Sequence, residues 1–463
     1  MSYSNPVTWI YLGLFFLLTL IIGIRKKTGG IYVDTIGIFQ ILVFSAFVLP
    51  RILLPGDLPS IRPEELLIFG FLPILAIADS PWHISRQCRL FIRFLLLLGV
   101  SIVISTACSV IAGVPFSYKN IFDVIKVIKY LLIILFSGAM ISFSKISLRR
   151  IVDVYYVAAF ALIVVTLVQY LSWPTGLGAA LARVYAVPAQ FMNSYLRDHR
   201  MVATAVDPNM GAQVLFLMFT LMLALTVNGV RRKLSTIAAL GLLVSIILTQ
   251  SRTGLVMVGV VAIVLAIRSV RLKRAWLWIR PRYIVFALTV LVAGGIVVSS
   301  GFSPYLRSLG HIFRSGNILI DRDMSLRVTY YWPRVIDQWL QSPLVGWGPA
   351  EQTKVSLLAD NEYLFTLLHF GLLGLGLLLF FYAASFHLAQ RVARYATDRY
   401  CLSFGQSISW AIPAILVGNL THTMFFDIQS AEIFFLNIGL LIGIDRVREK
   451  VMHPDVKNQT INE

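Results

Sequence analysis

The stretch MGAQVLFLMFTLMLALTVNGVRRKLSTIAALGLLVSIILTQSRTG, from Met210 to Gly254, decides the fold. An apolar run at 210–228 meets three cations, Arg231-Arg232-Lys233, and a second apolar run at 234–250 ends in the abrupt turn Gln250-Ser251-Arg252-Thr253-Gly254. Runs of about 17–25 apolar residues cross a hydrocarbon layer of roughly 30 Å as helices, because only a helix satisfies its own backbone there. This stretch therefore crosses a membrane, turns in a basic loop, crosses back and reverses sharply.

Working outward, the same pattern recurs from end to end. Spans are expected near 7–24, 31–49, 66–79, 90–112, 121–143, 151–172, 210–228, 234–250, 254–268, 283–301, 361–386, 402–420 and 430–444, so the chain reads as an all-α polytopic membrane protein of about 12–14 transmembrane helices. The segment 66–79 is short, and Lys126 and Lys129 in the first turns of 121–143 fit the membrane interface. With 463 residues, 58% hydrophobic and 13% charged, a soluble fold would expose large apolar patches. The whole of 1–463 is read as one integral membrane domain, and the first apolar segment lacks the basic start and cleavage site of a removed signal.

The connecting charges orient it. Arg25-Lys26-Lys27, Arg86/Arg89, Lys145/Arg149/Arg150, Arg231-Arg232-Lys233, the run Arg268 to Arg282, Arg391/Arg394/Arg399 and a tail at 445–463 fall on one side, which the positive-inside rule makes the cytoplasm. These segments hold 24 of the 40 Lys and Arg, so anionic headgroups account for the formal charge of +18 and nucleic acid is not an expected partner. The cysteines Cys88, Cys108 and Cys401 have no paired spacing, so neither a disulfide framework nor a thiolate metal site is indicated.

Two long segments, 173–209 and 302–360, are expected outside, the second between the tenth and eleventh spans; long loops of this kind carry function. The outer segments hold Arg51, Arg62, Arg183, Arg197, Arg200, Arg252, Arg307, Arg314, Arg322, Arg327 and Arg334, against the usual bias. Arginine grips phosphate with a planar fork of donors, so a phosphate-bearing ligand is expected there. The bland alternative pairs these arginines with outer acids such as Asp57, Glu64, Asp198 and Asp323. Between Arg327 and Gln338, Arg327, Tyr331, Arg334 and Gln338 recur at helical spacing opposite Trp332, Ile336 and Trp339, an interfacial helix that must start or bend at Pro333.

Further motifs follow: Asp207-Pro208-Asn209 before a span, Ser342-Pro343-Leu344-Val345-Gly346-Trp347-Gly348 at the end of the long loop, and Asp360-Asn361-Glu362-Tyr363-Leu364 opening a span that continues with Gly371-Leu372-Leu373-Gly374. In this order, with the Ser251-Arg252 turn and Arg327 followed by Trp332, residues 200–385 resemble the O-antigen polymerase and O-antigen ligase superfamily of envelope glycan enzymes. The resemblance implies a bacterial inner-membrane enzyme with an extracytoplasmic site. Its partners would be a donor glycan on undecaprenyl pyrophosphate, a glycan acceptor, a flippase and a chain-length regulator. It implies inverting glycosyl transfer that needs no metal or other cofactor, with Arg252 and Arg327 stabilising the leaving pyrophosphate and Asp360 or Glu362 accepting the hydroxyl proton. Arg200, Arg322, Arg334, Ser251, Asn361 and Trp332 are expected to bind substrate. Ligases of the superfamily place a histidine where this chain has Asp360, which leans the reading toward a polymerase of O-antigen or exopolysaccharide, with a ligase acting on lipid A core as the alternative.

Other readings stand beside these. Asp360-Asn361 fits a helix N-cap, as Asp207-Pro208 does. His311 and His422 are isolated alternatives for the base, and His369 fits packing. Asp321-Arg322-Asp323 is a weak metal-holding pattern and points to a polyprenyl-phosphate-sugar glycosyltransferase. A lipid-linked glycan transporter would need charges near mid-membrane, where only Asp34 and Arg93 stand.

Overall fold

The computed structural model describes residues 24–27, 30–33, 35–51, 62–68, 86–116, 119–143, 148–186, 192–271, 322–349, 360–396, 398–425 and 427–452. Nearly all of the expected span at 7–24, the span at 283–301, most of 66–79, and the sites His311 and Asp321 lie outside the described residues.

Helices dominate: α1 (Thr35–Val48), α2 (Arg86–Ile111), α3 (Lys119–Phe143), α4 (Leu148–Leu171), α5 (Gly176–Tyr185), α6 (Met192–Asp198), α7 (Pro208–Val227), α8 (Arg232–Leu248), α9 (Arg252–Arg271), α10 (Arg322–Leu326), α11 (Trp332–Trp339), α12 (Glu362–Arg394), α13 (Arg399–Gly418) and α14 (Ile428–Met452). Among the described residues seven stretches are long and apolar enough to cross a membrane, in α2, α3, α4, α7, α12, α13 and α14. The protein is an all-α polytopic membrane protein.

Several expected boundaries move. A small antiparallel hairpin of β1 (Ile24–Lys27) and β2 (Gly30–Val33) precedes α1, so the span expected from 31 begins at Thr35. The run Ile31-Tyr32-Val33 is β-branched and aromatic, which favours extended backbone. The outer segment 173–209 folds into α5 and α6 around Tyr185 and Tyr195. The expected tail starts inside α14, because Asp445 is buried and takes two hydrogen bonds from Arg391 of α12. Lys129 is not at an interface: it is buried and pairs with Glu432 and Glu65.

The membrane stretch of α14 is 94% buried and that of α2 33%, which puts α14 at the centre of the bundle and α2 at its rim. The Arg231-Arg232-Lys233 loop lies at one end, where Arg231 pairs with Asp153. The starts of α7, α9, α12 and α14 gather at the other. Polar side chains define that end. Asp207 accepts from the Asn209 and Met210 amides with Pro208 in the first helical position, the cap that the sequence fits.

The C-terminal end of α1 reaches the same region with carbonyls that no further turn can bond. Arg62 donates to the Ala46 carbonyl at 2.9 Å, Thr204 to Phe47 at 2.7 Å, Tyr185 to Val48 at 2.9 Å and Gln429 to Ala46 at 3.4 Å. Three distant parts of the chain thus close one helix end.

Candidate active site

The connection between α13 and α14 organises the site. The Asn419 carbonyl accepts from the Glu362 amide at 2.8 Å, and the Leu420 carbonyl from the Asn361 side chain at 3.1 Å. The Thr421 carbonyl accepts from Arg327 Nη1 at 3.3 Å, while the Thr421 and Thr253 hydroxyls bond at 2.8 Å. Arg327 also pairs with the Asp360 carboxylate at 2.9 Å. Three motifs far apart in sequence, at 252–253, 327 and 360–362, therefore converge on one turn. Sequence reasoning missed it; its signal was the polar run Asn419 to Thr423 after an apolar helix.

A second set of contacts joins this turn through α9. Gln250 takes a left-handed conformation (φ +53°) with its side-chain amide on the His199 carbonyl, which lets α8 reverse into α9 within three residues. Ser251 is buried and donates to Asn209 Oδ1 at 2.9 Å; Arg200, also buried, donates to the same oxygen at 3.1 Å and to the Thr249 carbonyl at 3.4 Å. Asp207 is the cap, and Asn209 does more than a cap: it ties Arg200 to the Ser251 turn. Arg252 follows, half-buried, as the first residue of α9.

Around Asp360 the adjacent residues divide the work. Asn361, not Asp360, caps α12, accepting from the Tyr363 amide at 2.9 Å and the Leu364 amide at 3.1 Å. Asp360 stands just outside the helix, half-exposed, facing Arg327. Glu362 is fully buried and accepts from the Met424 and Phe425 amides, so it clasps α12 to the segment before α14. Asp427, the cap of α14, accepts from the Ser430 amide at 3.2 Å, and burial pushes its carboxyl up against the opposing pull of Ser430 and His422. His422 lies in the same turn as Thr421 and is half-buried.

The helix that carries Arg327 begins at Arg322 and continues to Trp339 by widening into a π turn at Arg327–Tyr331, with the Trp332 amide on the Arg327 carbonyl. Pro333 explains the widening: it has no amide to give Thr329 and its ring crowds that carbonyl. Arg334 stacks on Tyr330 at 3.7 Å and is exposed. The Trp332 indole N–H is buried with no protein hydrogen-bond partner. The side chains of Arg322 and Asp323 lie outside the described residues.

The Pro343–Gly348 motif anchors this helix by backbone pairing against a break in α12 at Gly371. Trp347 and Gly348 amides donate to the Leu368 and His369 carbonyls at 2.8 and 2.9 Å, and Leu372 and Leu373 amides return to Pro343 and Leu344 at 2.9 and 3.1 Å. Gly346 and Gly371 both have positive φ and face backbone so closely that a Cβ at either position has no room. His369 is fully buried, bonded to the Gly348 carbonyl at 2.5 Å, in a packing role.

No curated protein matches the chain. Residues 237–379 match the family model described as O-antigen ligase. That stretch holds the Ser251 turn, Arg327, the Pro343–Gly348 motif and the start of α12, so the part of this multi-pass membrane protein that carries most of the candidate site is similar to the O-antigen ligase family.

Proposed function

We propose that the protein polymerises lipid-linked oligosaccharide repeat units at the outer face of the bacterial inner membrane, with undecaprenyl pyrophosphate as the leaving group. The observation that carries this reading is the Arg327–Asp360 pair on the Thr421 turn, which also bonds Thr253, the residue after Arg252. An arriving pyrophosphate competes with Asp360 for Arg327. Once the guanidinium binds phosphate, the Asp360 carboxylate is released as a proton acceptor for a nearby hydroxyl.

In the proposed step the acceptor hydroxyl oxygen bonds to the anomeric carbon as the bond from that carbon to the pyrophosphate oxygen breaks. The bond's electron pair leaves with the pyrophosphate, the hydroxyl proton goes to Asp360, and attack from the opposite face inverts the centre. Arg252 and Arg327 stabilise charge growing on the leaving group, with Arg200 holding the Ser251 turn in place. Glu362, whose Oε2 takes two backbone amides while its buried Oε1 has no hydrogen-bond partner, is the alternative proton acceptor behind Asp360. No step calls for a metal.

Aspartate in the position where ligases carry histidine favours polymerase over ligase. Deleting the gene and examining the surface glycan tests this. Single repeat units on lipid A core, or loss of an exopolysaccharide with normal lipopolysaccharide, support a polymerase; polymer accumulating on undecaprenyl pyrophosphate instead identifies a ligase. Unchanged glycans and lipid intermediates would overturn both.

A further inference from the structure

The turn that carries Arg252 is held from outside α8 and α9. Residues 199–201 run along the end of α8 and bond it three times. The Met201 amide donates to the Leu248 carbonyl at 3.2 Å, Arg200 Nε to the Thr249 carbonyl at 3.4 Å, and the Gln250 side-chain amide to the His199 carbonyl at 3.0 Å. The end of α4 fixes this segment in turn. Gln169, fully buried, gives its amide to the Ala203 carbonyl at 2.8 Å and accepts the Ala203 amide at 3.0 Å. The Trp173 indole N–H donates to the Tyr195 carbonyl at 2.7 Å, and the Tyr195 hydroxyl returns to the Gln169 carbonyl at 2.8 Å.

His199 joins the two layers. Its ring stacks on Tyr170, with centroids 4.6 Å apart and planes 7° from parallel, and on Trp173 at 4.3 Å and 33°. Its backbone is left-handed (φ +51°), a conformation in which histidine is enriched among non-glycine residues. Its Nε2 is buried with no hydrogen-bond partner among the described residues, so the faces of the ring do the holding. A residue here must accept left-handed backbone and offer a flat ring, and histidine does both. Of the three bonds to the end of α8, the one to Gln250 lies nearest to Arg252 and is made by His199 itself.

We propose that His199 is a positioning residue for the glycosyl transfer, an inference that rests on the reading above. Its stacked ring fixes the carbonyl that holds Gln250, and Gln250 sets the left-handed turn (φ +53°) from which Arg252 meets the leaving pyrophosphate. His199 touches no substrate in this role. A displacement of about 1 Å at a catalytic group costs on the order of 100-fold in rate, so a loosened turn is felt at Arg252. The loss falls on kcat more than on KM, because Arg252 acts on charge that grows in the transition state.

The test uses the full chain in nanodiscs, with radiolabelled lipid-linked repeat units extracted from the source strain after deletion of the gene, and turnover is expressed per folded protein. His199→Ala is expected to lower kcat about 10–100-fold with KM nearly unchanged. His199→Phe keeps a ring for both stacks and is expected to recover most of that loss. His199→Asn, which accepts left-handed backbone but has no ring, is expected not to recover it. Gln250→Leu cuts the link and leaves the stack in place. It is expected to reproduce the fall in kcat, and it carries the test if His199→Ala does not fold. Added to Arg252→Ala, either substitution should cost less than about twofold more, because the group it positions is already gone. Full turnover by His199→Ala and Gln250→Leu, a fall that multiplies undiminished with that of Arg252→Ala, or recovery by asparagine and not by phenylalanine overturns the inference. So does full turnover by Arg252→Ala while Arg327→Ala is inactive, and each of these results leaves the glycosyl-transfer reading standing. Normal turnover by both arginine variants overturns that reading itself.

Discussion

The Arg327–Asp360 pair and the network of Arg62, Glu64, Glu65, Lys129 and Glu432 use the same ion chemistry in opposite surroundings. In the pair, the side chains are 22% and 48% exposed; in the network, Arg62, Glu64 and Glu432 are 5%, 1% and 1% exposed. Lys129 reaches Glu65 at 2.6 Å and Glu432 at 2.5 Å, bridging α3 to α14 and to the segment before helix 63–68 ends. Ser45 of α1 donates to Glu64 at 2.7 Å. A half-exposed pair is worth about 0–1 kcal/mol and exchanges partners readily, whereas a buried network cannot lose a member without stranding a charge. The first therefore suits a site that must open for a ligand, and the second suits a joint that must not.

Substitutions can break this contrast. Lys129→Met takes the cation from Glu65 and leaves Glu432 with Arg62 alone, and is expected to destabilise the protein by about 3–5 kcal/mol, seen as a large fall in thermal midpoint and in folded protein recovered from membranes. Arg327→Ala is expected to cut turnover about 100–1,000-fold, roughly 2.7–4 kcal/mol of transition-state stabilisation, while the thermal midpoint barely moves. A comparable thermal loss in the two variants would erase the distinction. Asp360→Asn is expected to lower turnover about 100-fold at unchanged stability, and Asp360→His, which restores a titratable base, to recover most of it. Arg334→Ala, which removes only an exposed stack on Tyr330, should cost about 0.5–1 kcal/mol and leave turnover within a few-fold.

Acid separates the two regions in another way. Burial alone would raise the Glu64 carboxyl, but Arg62 beside it and the Ser45 hydroxyl prevail and hold it below the usual range. A carboxyl lowered in the folded state adds stability that is complete above its ordinary titration range and is lost as pH falls through and below that range. Thermal midpoints measured from neutral pH downward should fall accordingly, and Glu64→Gln should flatten the fall.

Local signals in the sequence were enough for the helices and for half of the site. Apolar length fixes where α7, α12 and α14 run, and the Ser251-Arg252 turn, the Asn361 cap and the glycines at 346 and 371 announce themselves by residue type. The remainder depends on residues that meet only after folding. Lys129 looks interfacial until Glu432, about three hundred residues later, covers it. Glu362 looks as available as Asp360, and only the Met424 and Phe425 amides distinguish them. Arg62 follows the bland pairing with an outer acid, Glu64, whereas Arg327 is paired by Asp360, which no spacing rule connects to it. Pro333 signals a bend, but the π turn depends on the helix continuing upstream to Arg322.

The closed end of α1 has a consequence for how the protein is made. Synthesis delivers the N-terminal part of the chain first. Ala46 is translated and inserted long before Gln429, which follows it by 383 residues. Arg62 reaches the Ala46 carbonyl early, Tyr185 and Thr204 reach Val48 and Phe47 later, and Gln429 adds a second donor to Ala46 last. Until Tyr185 and Thr204 are made, the Phe47 and Val48 carbonyls need partners that a lipid environment does not provide, so the growing chain must keep this helix end at a hydrated edge or in the care of the insertion machinery. A nascent chain arrested before Tyr185 would expose a helix end for quality control to recognise.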